Sequence, residues 1–141
     1  MSNEAIVATT REPTVVYGVH GAAGTSYWKC FARGSILHSA MEAWEYAALS
    51  PGAANGVHLH TRTDEVYFFL AGEGVMTLDG AEHPVHAGVA VLTPLGSRHG
   101  LDNTGDVNLE WLTIEVTHPE TIARLPAWSP VGVHEQEGES A

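Results

Sequence analysis

The sequence predicts an all-β domain built as an antiparallel sandwich or barrel. Short apolar segments separated by turn residues recur roughly every ten residues between residues 14 and 116, and no convincing long helix lies among them. Asp79-Gly80 stands between two such segments, residues 74–78 and 82–86, and this dipeptide readily adopts the positive φ angles of a tight hairpin turn. Evenly spaced short strands joined by tight turns are typical of sandwiches and barrels.

The individual elements follow from the same pattern. Strands are predicted at residues 14–20, 27–31, 44–49, 66–70, 74–78, 82–86, 89–93, 97–102 and 107–116, and a further strand is expected to carry His58 and His60. Helix competes with strand over residues 36–49, because alanine and glutamate are frequent there, and strand is favoured from Trp44 to Leu49. A short helix is predicted from Pro119 to Leu125, with proline in its first turn. Both parities of residues 107–116 are apolar, so this strand is expected to be covered on both faces.

Length and composition indicate one soluble domain. The chain has 141 residues, which is the size of a single domain, and its one cysteine, Cys30, fits a reducing compartment. We expect a flexible arm at residues 1–13, a barrel domain at 14–126 and a disordered acidic tail at 127–141. No apolar run reaches the roughly 20 residues of a membrane span, and the N-terminus does not resemble a secretion signal. A cytoplasmic location without membrane contact is therefore expected.

The charge balance argues against nucleic acid as a partner. Seventeen acidic residues against six basic ones give a formal net charge of −11. A chain of this charge is repelled by phosphate backbones and by anionic lipid surfaces.

Three histidines and a glutamate have the spacing of a metal site. His58 and His60 are two residues apart, so in a strand their imidazoles share a face. Glu65 opens the next apolar segment after a turn, and His99 follows a strand that is turned by Pro94 and Gly96. Imidazoles with one carboxylate suit iron, manganese, nickel, cobalt or zinc better than calcium or magnesium.

These two stretches resemble the two sequence motifs of the cupin superfamily. The first motif is matched at Gly52, His58, His60, Glu65 and Gly72, and the second at Gly88, Pro94, Gly96, His99 and Asn103. The resemblance implies a jelly-roll β-barrel of six to eight strands that binds one divalent metal through His58, His60, Glu65 and His99. It also implies a homodimer, because small single-domain cupins commonly pair through their outer sheets. Asn103 is interpreted as a turn residue.

Four protein ligands would leave two adjacent positions free on an octahedral metal, where a substrate or oxygen can bind. The predicted function is therefore that of a mononuclear metal-dependent enzyme, with an Fe(II) oxygenase favoured. Two alternatives remain: a non-redox cyclase, isomerase or lyase that uses the metal as a Lewis acid, and a cupin that binds a small ligand without turnover. Stand-alone cupins of this type also occur in bacterial pathways that make aromatic natural products.

The remaining site residues are assigned by strand parity. Tyr67 and Phe69 share a face with Glu65 and are expected beside the metal, while Trp44 and Tyr46 are expected on the opposite pocket wall. Glu110 is a further candidate near the mouth, although the sequence does not fix the direction of its side chain. An aromatic pocket of this kind suits a small carbonyl or phenol-like substrate. The candidate catalytic residues are His38, Tyr46 and Tyr67. The other histidines are interpreted as structural, among them His20, His83, His118 and His134.

Overall fold

The computed structural model describes residues 5–33 and 39–124, which form ten strands, one turn of 3-10 helix and one short α-helix. The strands are β1 (Thr14–Tyr17), β2 (Thr25–Arg33), β3 (Met41–Leu49), β4 (Ala54–Leu59), β5 (Thr63–Ala71), β6 (Glu73–Leu78), β7 (Ala81–His86), β8 (Ala90–Thr93), β9 (Arg98–Asn103) and β10 (Leu109–Thr117). The 3-10 turn spans Val19–Gly21, and the helix α1 spans Pro119–Arg124.

The strands form two sheets, as predicted. One sheet has six strands in the order β1-β2-β3-β10-β5-β8, and the other has four in the order β4-β9-β6-β7. Every strand pair is antiparallel. The competition between helix and strand is settled for residues 41–49, which are strand throughout. The all-β prediction is confirmed, and α1 is short, as expected.

The predicted hairpin joins β6 to β7. Asp79 and Gly80 have φ values of 46° and 85°, so both central residues lie in the left-handed region that this two-residue turn requires. Leu78 then pairs with Ala81, and Met76 with His83. The turn fixes the register that places Met76, which is fully buried, on the inner face.

The interior is divided into an apolar core and a polar cavity. Phe69, Leu49, Met76 and Leu109 are fully buried and belong to one core cluster. Along β10 the inward residues change from Leu109 and Trp111 to Thr113 and Glu115, which face Tyr67 and Glu65 of β5. One end of the barrel is therefore filled with apolar side chains, and the other end is lined by groups that carry chemistry.

The outer face of the six-stranded sheet is unusually apolar. β5, β8, β3 and β10 together present a row of partly exposed apolar side chains: Val66 39%, Phe68 44%, Leu70 41%, Leu92 62%, Trp44 38% and Val116 38%. Strand alternation requires these residues to lie on the face opposite Glu65 and Tyr67. We refer to these six residues as the outer apolar face.

A buried ion pair connects the sheet to α1. Glu42 is 1% exposed and accepts hydrogen bonds from Arg62 Nε at 3.3 Å and from the Thr117 hydroxyl at 3.0 Å. The carbonyl oxygen of Arg62 accepts a hydrogen bond from the Thr121 hydroxyl at 2.7 Å, which ties the helix to the barrel.

Within the part of the chain described here, no helix has the length and apolar character needed to cross a membrane.

Candidate metal centre and cavity

Three histidines from the four-stranded sheet converge on one point. His58 lies in β4 and pairs directly with His99 of β9, and His60 follows immediately after β4 ends at Leu59. One ring nitrogen of each histidine lies within 4.8 Å of the corresponding nitrogens of the other two. The chelating pair predicted from the His58 and His60 spacing is thus joined by His99 through strand pairing.

The hydrogen bonds of the rings indicate which nitrogens face the centre. His58 Nδ1 is 2.8 Å from the carbonyl oxygen of Gly56, so Nδ1 carries the hydrogen and Nε2 bears a lone pair. His60 Nδ1 is 3.1 Å from a Glu65 oxygen, which gives its Nε2 the same character. These two Nε2 atoms are 2.9 Å apart, so two lone pairs face each other. A cation between the rings would satisfy both.

The protonation states also fit a metal. Burial, with smaller contributions from His20, His99 and His60, lowers the pKa of His58 to about 3. His58 is therefore neutral at physiological pH, as a metal ligand must be. His99 has one buried ring nitrogen, Nδ1, without a hydrogen-bonding partner among the residues described. The donor set of three imidazoles accordingly suits a transition metal.

Glu65 bridges two of the histidines. One carboxylate oxygen is 3.1 Å from His60 Nδ1, and the other is 3.2 Å from His99 Nε2 and accepts a hydrogen bond from the Tyr67 hydroxyl at 2.8 Å. Burial alone would raise the pKa of Glu65, but the contacts with His99 and His60 outweigh it and lower the pKa. In this arrangement the carboxylate orients the rings, as carboxylates beside metal-binding histidines commonly do. Direct ligation by Glu65 stays a prediction.

Tyr67 is placed beside the centre, as predicted. Its hydroxyl is 3.1 Å from His99 Nε2, and its ring packs edge-on against the His99 ring at 5.6 Å. Burial and the neighbouring Glu65 raise the pKa of Tyr67 well above its usual value. The phenol therefore keeps its proton and acts as a hydrogen-bond donor to Glu65. Its catalytic role stays a prediction.

A cavity of about 430 Å³ opens next to the histidines. Its wall on the six-stranded sheet is made by inward-facing residues of β2, β3, β5 and β10: Trp28, Arg33, Glu45, Ala47, Tyr67, Trp111, Thr113 and Glu115. The volume is typical of a small-molecule site. The three histidines and this wall face each other across the barrel.

Two carboxyl groups on the wall were not predicted. Glu115 of β10 pairs with Glu65 of β5, and Glu45 lies on the neighbouring strand β3. Burial, followed by the charges of Glu65 and Glu45, raises the pKa of Glu115 to about 9. Glu115 is therefore protonated at neutral pH in the metal-free chain. The only sequence signal was its parity with Trp111 and Thr113, which is weak because buried acids are rare.

His20 was interpreted as structural from the sequence, without the contact with His58 that the structure shows. It lies in the 3-10 turn before β2 and stacks on the His58 ring, with ring centroids 3.7 Å apart and planes 15° from parallel. The turn approaches β4 closely because residue 56 is glycine: a Cβ atom there would lie 2.1 Å from the His20 carbonyl oxygen. His20 itself has a φ of 50°, which is unusual for a residue with a side chain.

Four pocket assignments need correction. Trp44, Tyr46 and Glu110 lie on the outer face, because Glu45 and Ala47 are the β3 residues that face the cavity. The Tyr46 hydroxyl donates a hydrogen bond to Glu110, and the Trp44 ring packs edge-on against Phe31 at 5.1 Å. Phe69 does face inward, but it is fully buried in the apolar core and does not line the cavity.

Because Tyr46 lies on the outer face, it is also no longer a catalytic candidate at this cavity. Its shared parity with Trp44 was predicted correctly, but that parity faces outward. The third catalytic candidate, His38, lies outside the described residues.

Two antiparallel sheets enclose three convergent histidines, and the result is a β-barrel with a group of side chains that could hold a metal ion. The family model for the cupin domain matches residues 45–115, half of the chain, and the chain therefore belongs to the cupin family. The predicted membership and the jelly-roll architecture are both confirmed.

Several known proteins are similar to this chain. An oxalate-binding protein of Thermotoga maritima is 35% identical over 78 residues, which cover 55% of this chain and 64% of that protein. A dimethylsulfoniopropionate lyase, DddW of Ruegeria pomeroyi, is 41% identical over 54 residues, which cover 38% of this chain and 35% of the lyase. The crystal structure of a predicted oxalate decarboxylase from Thermotoga maritima has a TM-score of 0.75 and 28% identity, covering 79% of this chain and 99% of that chain. The chain thus spans less than two thirds of the length of these two curated relatives.

Proposed function

We propose that the protein is a mononuclear metal-dependent enzyme that acts on a small organic molecule. The observation that carries this proposal is the group of three histidine nitrogens, all within 4.8 Å of one another, beside a cavity of about 430 Å³. A divalent metal bound there would supply Lewis acidity toward a carbonyl or carboxylate oxygen. The chain contributes the orientation of the rings, through Glu65, and the wall against which the substrate lies.

We favour non-redox chemistry, such as a lyase, isomerase or decarboxylase reaction. Glu45 and Glu115 place two carboxyl groups on the wall that faces the histidines, where a proton can be taken from or given to a bound substrate. The Tyr67 phenol adds a hydrogen-bonding group next to His99. The names of two of the similar proteins, a lyase and a predicted decarboxylase, support the same class.

The second candidate is the Fe(II) oxygenase expected from the sequence. Trp28, Trp111 and Tyr67 give the cavity aromatic walls, which suit an apolar substrate and dissolved oxygen. Manganese, nickel, cobalt and zinc are the other metals that this donor set accepts.

The experiment begins with the metal content of protein purified without chelator or nickel resin. We expect about one metal ion per chain in the wild type. We expect His60→Ala to lose the metal and to retain the β-sheet signal in circular dichroism. Full metal retention by His60→Ala would reject the site. Iron together with substrate-dependent oxygen uptake would favour the oxygenase, and a loaded protein that binds but never converts small carbonyl compounds would favour a binding protein.

We also propose that two copies of the chain pair through the outer apolar face. The six side chains of this face are 38–62% exposed, although five of them lie on the inner strands β3, β10 and β5 of the larger sheet. Burial of such a face by a second copy is favourable at roughly 25 cal/mol for each Å² removed from water. The pairing expected of small cupins through their outer sheets supports the same face.

A further inference from the structure

We infer that the cavity takes a planar aromatic molecule with one metal-chelating group, such as an aryl 2-oxo acid, rather than a small dianion such as oxalate. This inference rests on the proposed metal site, because the chelating group is held there. It adds the size and shape of the remainder of the ligand, which lies against the six-stranded sheet.

The first argument is a slot between two tryptophans. Ala47 of β3 pairs with Trp28 of β2 on one side and with Trp111 of β10 on the other, and all three residues line the cavity. The backbones of the two tryptophans are thus two strand spacings apart, roughly 9.5 Å. Because residue 47 is alanine, only a methyl group stands between the two tryptophans on the strand that separates them, and this backbone spacing suits one aromatic ring packed between their side chains.

The second argument is the position of the slot relative to the histidines. Trp111 pairs with Phe69 on β5, and Tyr67, which contacts His99, is the next inward residue on that strand. Successive inward residues are about 6.7 Å apart along a strand. A ring in the slot can therefore carry its chelating group directly, or through one atom, and still reach the histidines.

The third argument is size. If each non-hydrogen atom of oxalate is given the volume of a water molecule in the liquid, about 30 Å³, the whole ion fills roughly 180 Å³. The cavity has about 430 Å³, so oxalate would leave more than half of it to water. A chelating group that carries a phenyl ring fills the space far better.

The fourth argument is charge. Apart from Glu65 at the metal site, the wall carries two carboxyl groups, Glu45 and Glu115, and one guanidinium, Arg33. The guanidinium lies over the Trp28 ring at 5.7 Å from its centroid. Because Glu115 keeps its proton, the charges on this wall are those of Glu45 and Arg33, and they offset each other. The wall therefore has no surplus positive charge for a second carboxylate on the ligand, and a neutral ring needs none.

The test compares three chelators on Co(II)-loaded protein under anaerobic conditions: benzoylformate, pyruvate and oxalate. Benzoylformate and pyruvate share the 2-oxo acid group and differ in carrying a phenyl ring or a methyl group. Affinity is measured by calorimetry, and coordination to the metal by the visible Co(II) spectrum. We expect benzoylformate to bind at least tenfold more tightly than pyruvate and more tightly than oxalate, because only its ring fills the slot.

Variants separate the slot from the metal. Ala47→Leu fills the slot and should reduce the preference for benzoylformate over pyruvate to less than threefold, while Co(II) stoichiometry is retained. Trp28→Leu should weaken benzoylformate about threefold to tenfold and leave pyruvate unchanged. The controls are Ala81→Leu, at an exposed position in β7, and Trp44→Leu, on the outer face; both should behave like the wild type.

The outcomes distinguish the two proposals. A wild-type protein that holds no Co(II) overturns the proposed metal site, and with it the inference. A loaded protein that binds oxalate or pyruvate as tightly as benzoylformate overturns the inference alone. The same holds if both Ala47→Leu and Trp28→Leu retain metal and keep the wild-type preference.

Discussion

The Nε2 atoms of His58 and His60 face each other at 2.9 Å, and each ring turns its other nitrogen toward an oxygen, the Gly56 carbonyl at 2.8 Å in one case and the Glu65 carboxylate at 3.1 Å in the other. The chain therefore holds both rings in the tautomer that a metal requires before any metal arrives. This preorganisation depends on one backbone carbonyl and one carboxylate, so the carboxylate can be tested by substitution.

Glu65→Gln should weaken metal binding by about 10- to 100-fold, the usual effect of losing the carboxylate partner of metal-binding histidines. The glutamine keeps the shape of the side chain but removes the negative charge that holds the Nδ1 hydrogen of His60. Competition with a chromophoric chelator measures the affinity. Glu120→Gln, an exposed position in α1, is the control for the loss of one negative charge. Unchanged affinity in Glu65→Gln would mean that the carboxylate neither ligates the metal nor orients the rings.

Glu115→Gln should make the metal-free protein more stable at alkaline pH. The folded chain holds the Glu115 proton up to about pH 9, whereas the carboxyl of an unfolded chain loses its proton near 4.5. Between these values the folded state binds more protons, so the free energy of unfolding falls as pH rises. Glutamine has no proton to lose, and the gain should be of the order of a few kcal/mol at pH 8.5.

Urea denaturation in the presence of a chelator, at pH 5 and pH 8.5, measures this difference. The gain of Glu115→Gln over the wild type should be larger at pH 8.5 than at pH 5, and Glu120→Gln should show no such trend. An equal effect at both pH values would contradict the assignment of Glu115 as a buried, protonated carboxyl group.

The strands and the grouping of the three histidines were predictable because their signals are local. Alternation, the Asp79-Gly80 turn and the two-residue spacing of His58 and His60 each specify structure within a few residues. The orientation of β3 was not predictable in the same way. Its aromatic residues, Trp44 and Tyr46, lie on one face of the strand, and Glu45 lies on the opposite face. The pattern therefore predicts that the aromatic side chains point into the barrel. The fold does the reverse, because Glu45 belongs to the cavity and the outer face is itself apolar.

The contact of His20 with His58 was missed for a different reason. A single histidine followed by small residues carries no periodic signal, and its contact with His58 depends on the path of the chain between β1 and β2. Gly56 was the only trace of this contact in the sequence. Gly56 permits the contact because it has no side chain, and not because of its backbone conformation. Only the structure reveals this.

Gly56→Ala should displace the Val19–Gly21 turn. The new Cβ atom would lie 2.1 Å from the His20 carbonyl oxygen, so backbone must move, and overpacking of this kind costs about 1–3 kcal/mol. The metal affinity should fall as well, because His58 loses the ring stacked on it. Urea denaturation and chelator competition measure the two effects. His20→Ala, which removes the ring but not the carbonyl, should lower the affinity with a smaller loss of stability. Wild-type stability in Gly56→Ala would show that the turn does not rest against β4.

Phe68→Asp should convert the protein from a dimer to a monomer. Phe68 is 44% exposed near the middle of the outer apolar face, and its backbone pairs with Leu112 and Ala90 within the sheet. A charge there is solvated in a monomer but buried without a partner when two faces pack together. Size-exclusion chromatography with light scattering should give about twice the 15.0 kDa of one chain for the wild type and a single-chain mass for the variant.

Val107→Asp is the matched control, because Val107 is 57% exposed in the segment before β10 and lies outside the outer apolar face. This variant should remain dimeric. A monomeric wild type would contradict the proposed pairing directly, and a dimer that persists in Phe68→Asp would move the interface to another surface. Metal binding should be the same in both variants, because the histidines lie on the opposite sheet and the two faces of the six-stranded sheet are separated by its own backbone.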